Sequence, residues 1–243
     1  MPARNGVTAA VFMQAGFTGI SDPFTGERNF LEAFSPNPRP ERLSEGLGSH
    51  YEIMFTNIKK FAVGSPIQAP LDALLILMGK YGFTSKDVES IVVRFPAATQ
   101  RAVVNNRDMP DINLQYILAV ALLDGDFSFE AAHSYERMND PAVLEIKKRI
   151  TLKEAPGLDT SKTVRQSIVE VVTKEGKSFK EHVVGVRGTA ENPMTPGEIE
   201  KKCNELLKPI LGEDRAQKLM DRILKLERIK DVRELRPLVS LPF

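Results

Sequence analysis

Residues 59–74 read Lys-Lys-Phe-Ala-Val-Gly-Ser-Pro-Ile-Gln-Ala-Pro-Leu-Asp-Ala-Leu, so two cations, a small polar turn and a side-chain amide stand directly before an apolar helical stripe. Ser65 has the residue type of an N-cap, Pro66 suits the first helical position, and Gln68 falls three residues after the cap. A turn of this kind offers backbone N–H groups and an amide at the positive end of a helix, where a carboxylate docks. Gln68 has two readings. It closes a capping box with Ser65, or it contacts a ligand; Pro70 supports the second by moving the helix start toward Ala69 and leaving Gln68 in the loop. Lys59 and Lys60 are neighbours on an extended segment and point to opposite faces, so at most one serves the same site.

The other reactive side chains form no constellation. His50, His133 and His182 lack a second ligand three or four residues away, which argues against a zinc site. His133 reads as a partly buried structural histidine, and Cys203 lies on the apolar stripe of its helix, as inert packing does. The cluster Gly46-Leu47-Gly48 lacks the strand-loop-helix setting of a nucleotide fingerprint. Lys and Arg total 33 against 32 for Asp and Glu, and such a balance disfavours nucleic acid as a partner. One cysteine in 243 residues excludes an intramolecular disulfide and fits a reducing compartment. No apolar run approaches the ~20 residues of a membrane span, and the first residues lack a signal-peptide pattern. A cytoplasmic protein with no membrane partner is expected.

The elements that must position the turn follow from periodicity. Val7 to Ala15 has helical spacing, with Gly16 as its C-cap candidate, and Gly26 to Phe34 is a second helical piece before a linker with Pro36, Pro38 and Pro40. Ile53 to Phe61 and Val88 to Phe95 alternate as strands do. Pro66 to Lys80 is an amphipathic helix, Ile112 to Leu123 an almost wholly apolar one, Phe129 to His133 a short one, and Asp140-Pro141 starts another that ends near Arg149. Ile150 to Leu152 makes a short strand, and Gln166 to Val172 pairs with Ser178 to Val186 across Glu175-Gly176 as a hairpin. Thr195-Pro196-Gly197-Glu198 is a capping box opening a helix that carries Ile199, Cys203, Leu206, Leu207 and Ile210. After Gly212 a last helix carries Leu219, Met220, Ile223, Leu224 and Ile229. The expected fold class is α+β, a mostly antiparallel sheet with helices on one side, flanked by helices of an incomplete all-α domain. The stripes of the last helices exceed what Val7 to Ala15 covers, and this predicts a homo-oligomer.

Residue for residue, 59–74 resembles the segment leading into the lid domain of the MmgE/PrpD family. Other segments resemble the same family in the same order: Arg4-Asn5-Gly6-Val7 with Gln14-Ala15-Gly16-Phe17-Thr18-Gly19, then Leu114-Gln115-Tyr116 with Ala119 to Gly125, then Glu191-Asn192-Pro193-Met194, then Leu211-Gly212-Glu213. Its members are hydro-lyases, decarboxylases and epimerases acting on small polycarboxylates such as 2-methylcitrate, cis-aconitate and iminodisuccinate. The resemblance implies three parts: 1–51 as the end of a helical domain plus linker, 52–188 as an α+β lid domain, and 189–243 as helices returning to the helical domain. It also implies that most catalytic groups of the family, an Asp, a Thr, a His and a Lys, lie in sequence preceding these segments.

Two departures matter. Decarboxylase members place a catalytic His where Gln68 stands, and an amide moves no proton near neutrality. Members of the dehydratase branch carry a Gln at this register, but their preceding His corresponds to Pro66 here. The resemblance therefore implies a metal-independent, cofactor-free lyase or isomerase of dehydratase type acting on di- or tricarboxylates, with no catalytic residue assigned in this chain. Lys60, Gly64, Ser65, Gln68 and Arg107 are the expected substrate-binding residues. Arg107 comes from the polar segment Arg94, Arg101, Asn105, Asn106 and Arg107, where the family's lid approaches its cleft; a solvated loop is the alternative reading. Three expectations stay open: one half of a split enzyme completed by a chain bearing the N-terminal helical domain, an inactive truncated product, and a carboxylate-binding or protein-interaction module.

Overall fold

A computed structural model of the chain describes residues 1–96, 101–158 and 165–240. The chain divides into two compact units, 1–53 and 54–243. The first holds helix α1 (Pro2–Gln14) and helix α2 (Phe30–Phe34), the latter capped by Asn29, whose side chain accepts from the Leu31 and Glu32 amides. Aromatic pairs organise it: Phe12 stacks on Phe17 at 5.2 Å, and Phe30 lies 4.8 Å from Phe34.

The second unit is α+β, as the periodicity predicts. Four strands, β1 (Val88–Phe95), β2 (Ile150–Glu154), β3 (Ser167–Thr173) and β4 (Ser178–Val183), form a sheet in the order β2-β1-β3-β4. The β1-β3 and β3-β4 pairings are antiparallel and β1-β2 is parallel, with Ile91 opposite Ile150, so the sheet is mixed. Alternation sets its faces: Ile91, Val93, Phe95, Val169 and Val171 are fully buried, because successive side chains of a strand point to opposite sides. On the other face Glu170 accepts from Arg94 at 3.0 Å and pairs with Lys180 at 3.3 Å. The hairpin turns where expected, with Gly176 at φ +78° and its amide donating to the Thr173 carbonyl.

Helices α3 (Gln68–Tyr81), α4 (Leu114–Asp124) and α5 (Pro141–Lys147) build the layer on the buried face. Helix α3 packs on β3, β4 and α4, and α4 packs on α5. Helix α4 is buried from Leu114 to Leu122, in keeping with its apolar circumference. Helix α6 (Pro196–Leu211) opens with the predicted capping box: Thr195 Oγ1 accepts from the Glu198 amide, and Glu198 accepts from the Thr195 amide at 2.8 Å. It packs against α7 (Glu213–Ile223), which ends at Ile223; Ile229 lies beyond it, after a short 3-10 turn.

Two predicted elements differ. Ile53 to Phe61 is no strand; a 3-10 turn at Glu52–Phe55 precedes backbone that joins no sheet, and Ile53, Met54, Phe55 and Ile58 are exposed. Alternation alone makes no strand without a neighbour to complete its ladder. The Ile58 amide instead donates to the Gly188 carbonyl at 2.7 Å. Phe129 to His133 shortens to a 3-10 turn at Ala131–His133, and His133 is exposed, with Nδ1 2.8 Å from the Phe129 carbonyl.

Candidate functional site

The turn at 61–68 forms around one side chain. Ser65–Ile67 is a 3-10 turn whose N-cap is Gly64, and no side chain caps it; α3 then starts at Gln68. Pro70 is thus the third residue of α3, inside the first turn, where a missing N–H costs nothing. The capping box between Ser65 and Gln68 does not form. Gln68 turns inward instead: its Oε1 accepts from the Phe61 amide at 3.2 Å, and its Nε2 donates to the carbonyls of Phe61 at 2.9 Å and Val63 at 3.3 Å. At 3% exposure it is as buried as Val63, and a buried amide takes the partners that leave fewest polar groups unpaired. The local sequence permits both arrangements. Phe61 and Val63, themselves buried, select the second by bringing unpaired backbone beside the amide.

Lys60 and Lys59 are both engaged. Lys60 Nζ lies 2.8 Å from Asp72 on α3 and 4.8 Å from the Phe61 ring centre, and Lys59 Nζ donates to the Val63 carbonyl at 3.1 Å. Lys60 also lines a cleft of about 390 Å³ with Phe61, Phe127, Phe129, Lys202 and Glu205. There Lys202 donates to the Lys59 carbonyl, and burial draws its ammonium pKa down.

Gly64 faces a different neighbour. The Gly64 amide donates to the Asp111 carbonyl at 2.9 Å, and a Cβ on Gly64 would stand 3.3 Å from Ile112 Cγ2. The loop ending at Asp111 carries Arg107. Of the three arginines in the predicted polar segment, Arg94 pairs with Glu170 and Arg101 with Glu154 at 3.2 Å. The exposed Arg107 guanidinium meets no acceptor among the described residues, and neither does the half-buried Ser65 hydroxyl. The structure therefore brings Gly64, Ser65 and Gln68 into one turn, joins the Arg107 loop to it through Asp111, and commits Lys60 to Asp72.

A model of the MmgE/PrpD C-terminal domain matches residues 61–227. The chain belongs to the MmgE/PrpD family. Two curated relatives of this family member are the cis-aconitate decarboxylase of Mus musculus, 24% identical over 258 residues, and that of Aspergillus terreus, 23% identical over 263. Each alignment covers 99% of the chain and 51% or 53% of the relative, so the chain spans about half the length of the curated relatives it matches.

In this MmgE/PrpD domain no group of three or more His, Cys, Asp or Glu side chains is placed to hold a metal ion, among the described residues. His50 lies 3.1 Å from Glu52, and His182 lies 3.0 Å from Gln166. Cys203 is free and half-buried. No described helix is long and apolar enough to cross a membrane.

Sequence reasoning missed three groups that build the site. Asp72 neutralises Lys60 from the apolar stripe of α3, where a carboxylate is itself a signal. Asn113 and Gln115, 1% and 2% exposed, open the apolar helix α4 and bond to the loop at 104–107. A polar pair beginning an otherwise apolar helix is visible in the sequence; its partners are not. The third group is Arg187, which donates to Glu198 and to Asn192. Glu198 is held down to about 2 from 4.5, first by that guanidinium and then by the Thr195 amide.

Proposed function

We propose that this chain supplies the lid portion of an MmgE/PrpD lyase or isomerase of dehydratase type, and that the rim formed by the 61–68 turn and the 104–113 loop binds a carboxylate of a small di- or tricarboxylate. The observation that carries this reading is that a cation and a hydroxyl donor, both without partners among the described residues, stand on neighbouring segments. Arg107 and Ser65 stand on two segments joined by the Gly64–Asp111 hydrogen bond, while Lys60, Arg94 and Arg101 are all engaged. A guanidinium suits a carboxylate because two parallel N–H donors match its two oxygens. Gly64 lets the loop approach closely, Gln68 fixes the turn from beneath, and Lys60 braces its start through Asp72.

The base that removes an α-proton is not supplied by this turn. Gln68 occupies the position where the resemblance places a His in decarboxylases, and its amide hydrogens are spent on backbone carbonyls. The turn's part is binding, and catalysis then draws its proton-transfer groups from elsewhere in the assembled enzyme. The same observation favours a second reading, a carboxylate-binding module without turnover.

Calorimetric titration with citrate, beside turnover assays on 2-methylcitrate and cis-aconitate, tests the proposal. The purified chain is expected to bind citrate, to lose about ten-fold in affinity on Arg107→Ala, and to turn over neither substrate. Turnover by the chain alone, or citrate affinity indifferent to Arg107, overturns it.

A further inference from the structure

Four successive residues of the loop, 104 to 107, are each tied to one of three successive residues that open α4. The Leu114 amide donates to the Val104 carbonyl at 2.9 Å, and Gln115 Nε2 donates to Asn105 Oδ1 at 2.5 Å. The Asn106 amide donates to Gln115 Oε1 at 2.9 Å, and Asn113 Nδ2 donates to the Arg107 carbonyl at 2.5 Å. Asn113 completes its own bonding by accepting from the Tyr116 amide at 2.9 Å, as the N-cap of α4. Both amides lie in the buried layer, whereas Asn105, Asn106 and Arg107 are exposed.

Within this set Asn106 has φ +44°, a left-handed conformation. For a residue with a side chain that conformation costs roughly 1–2 kcal/mol and persists where surrounding bonds impose it; Asn bears it more readily than most. Here the imposing bond is the one the Asn106 amide donates to Gln115 Oε1. An exposed loop needs no such anchoring to be a loop, and a helix start needs only one cap. The second buried amide is in excess of what α4 requires, and its bonds go to the two residues preceding Arg107.

We infer that Gln115, assisted by Asn113, is a positioning residue: it holds Asn106 in the left-handed conformation and so fixes the chain at Arg107, a cation without an acceptor among the described residues, in the loop that Asp111 ties to the 61–68 turn. This rests on the reading of Arg107 as the carboxylate-binding cation. Without the clamp Asn106 relaxes to negative φ, the chain direction at Arg107 changes, and the guanidinium is no longer pre-organised. Glycine adopts positive φ without steric cost, so Asn106→Gly makes the required conformation accessible again when Gln115 is gone. A Gln115 that served packing alone would not be rescued in this way.

The test uses citrate as the probe on the full chain, with affinity read by calorimetry and folding by far-UV circular dichroism. Gln115→Leu keeps volume and burial while removing both bonds; it is expected to weaken citrate binding about five- to ten-fold. Its effect should not add to that of Arg107→Ala, because both act through one contact. Adding Asn106→Gly to Gln115→Leu should recover at least half of the loss on a logarithmic scale. Asn106→Val touches no buried group but resists positive φ, and it should reproduce the loss; it decides the matter if Gln115→Leu does not fold. Full affinity in Asn106→Val, or no recovery by glycine in a folded Gln115→Leu protein, overturns the positioning role while leaving the reading of Arg107 intact. Citrate affinity unmoved by Arg107→Ala, or no citrate binding by the wild-type chain, overturns that reading and the positioning role with it.

Discussion

Replacing Gln68 by Ala is expected to destabilise the second unit by about 3 kcal/mol, and the origin of that figure can be followed bond by bond. Three hydrogen bonds disappear: from the Phe61 amide, to the Phe61 carbonyl and to the Val63 carbonyl. The Val63 carbonyl keeps Lys59 Nζ at 3.1 Å, so two backbone groups lose the partner that Gln68 gave them. Phe61 is 7% exposed, and a buried group left unpaired costs about 1–3 kcal/mol. The sum of about 2–6 kcal/mol is reduced where water enters the vacated space, because that space is polar and water can bridge the two groups. Gln68→Met fills the space without restoring the bonds and should cost about as much. Ser65→Ala should fall within roughly 0.5 kcal/mol of wild type, since no cap is lost. Urea unfolding followed by far-UV circular dichroism gives each value, and the double variant gives the coupling. A cost below about 1 kcal/mol for Gln68→Ala, or Ser65–Gln68 coupling above about 1 kcal/mol, refutes the reasoning and restores the capping box.

Two further outcomes follow from the segment that returns to α6. The folded pKa of Glu198, about 2, lies below its ordinary 4.5, so its stabilisation is fully present above about 4.5 and is lost as pH falls toward 2. Because its carboxylate is about one-third exposed, screening limits the contribution to about 1 kcal/mol. Glu198→Gln should lower the melting temperature at pH 7 and converge with wild type near pH 2; parallel curves across that window contradict the assignment. Gly188 sits at φ +95° with the place of a Cβ only 1.8 Å from the Ile58 carbonyl oxygen, so Gly188→Ala should cost about 3 kcal/mol or more. An unchanged urea midpoint would show that the contact between 58 and 188 is not obligatory.

How much of this was legible in the sequence depended on whether a feature is local. The alternation of β1, the turn at Glu175-Gly176 and the capping box at Thr195 are each written in adjacent residues, and each forms as read. The segment from Ile53 to Phe61 alternates just as clearly and forms no strand, because a strand exists only with a partner and no described strand pairs with this segment; its Ile58 amide goes instead to the Gly188 carbonyl. Gln68 failed for a related reason. Its spacing from Ser65 satisfies the capping-box rule, yet the amide bonds to backbone five and seven residues away, through a fold of the chain that no helix-start rule describes.

The candidate site sharpens the same distinction, because a cation counts toward binding only if its charge is free. Lys60, Arg94, Arg101 and Arg107 are equivalent as letters. The fold gives Asp72 to the first, Glu170 to the second and Glu154 to the third, at 2.8, 3.0 and 3.2 Å. None of these partners is within five residues of its cation, so their pairing is decided by α3, by the β1-β3 register and by β2 reaching Glu154. Such pairs add little stability where water screens them, but they remove three cations from the field an incoming dianion would meet. Arg107 has Asp108 and Asp111 in its own loop, yet its guanidinium meets no acceptor among the described residues. The fold directs two buried amides, Asn113 and Gln115, to that loop's backbone and to Asn105, and no described residue to the Arg107 charge, an arrangement that makes sense if the charge is reserved for a ligand.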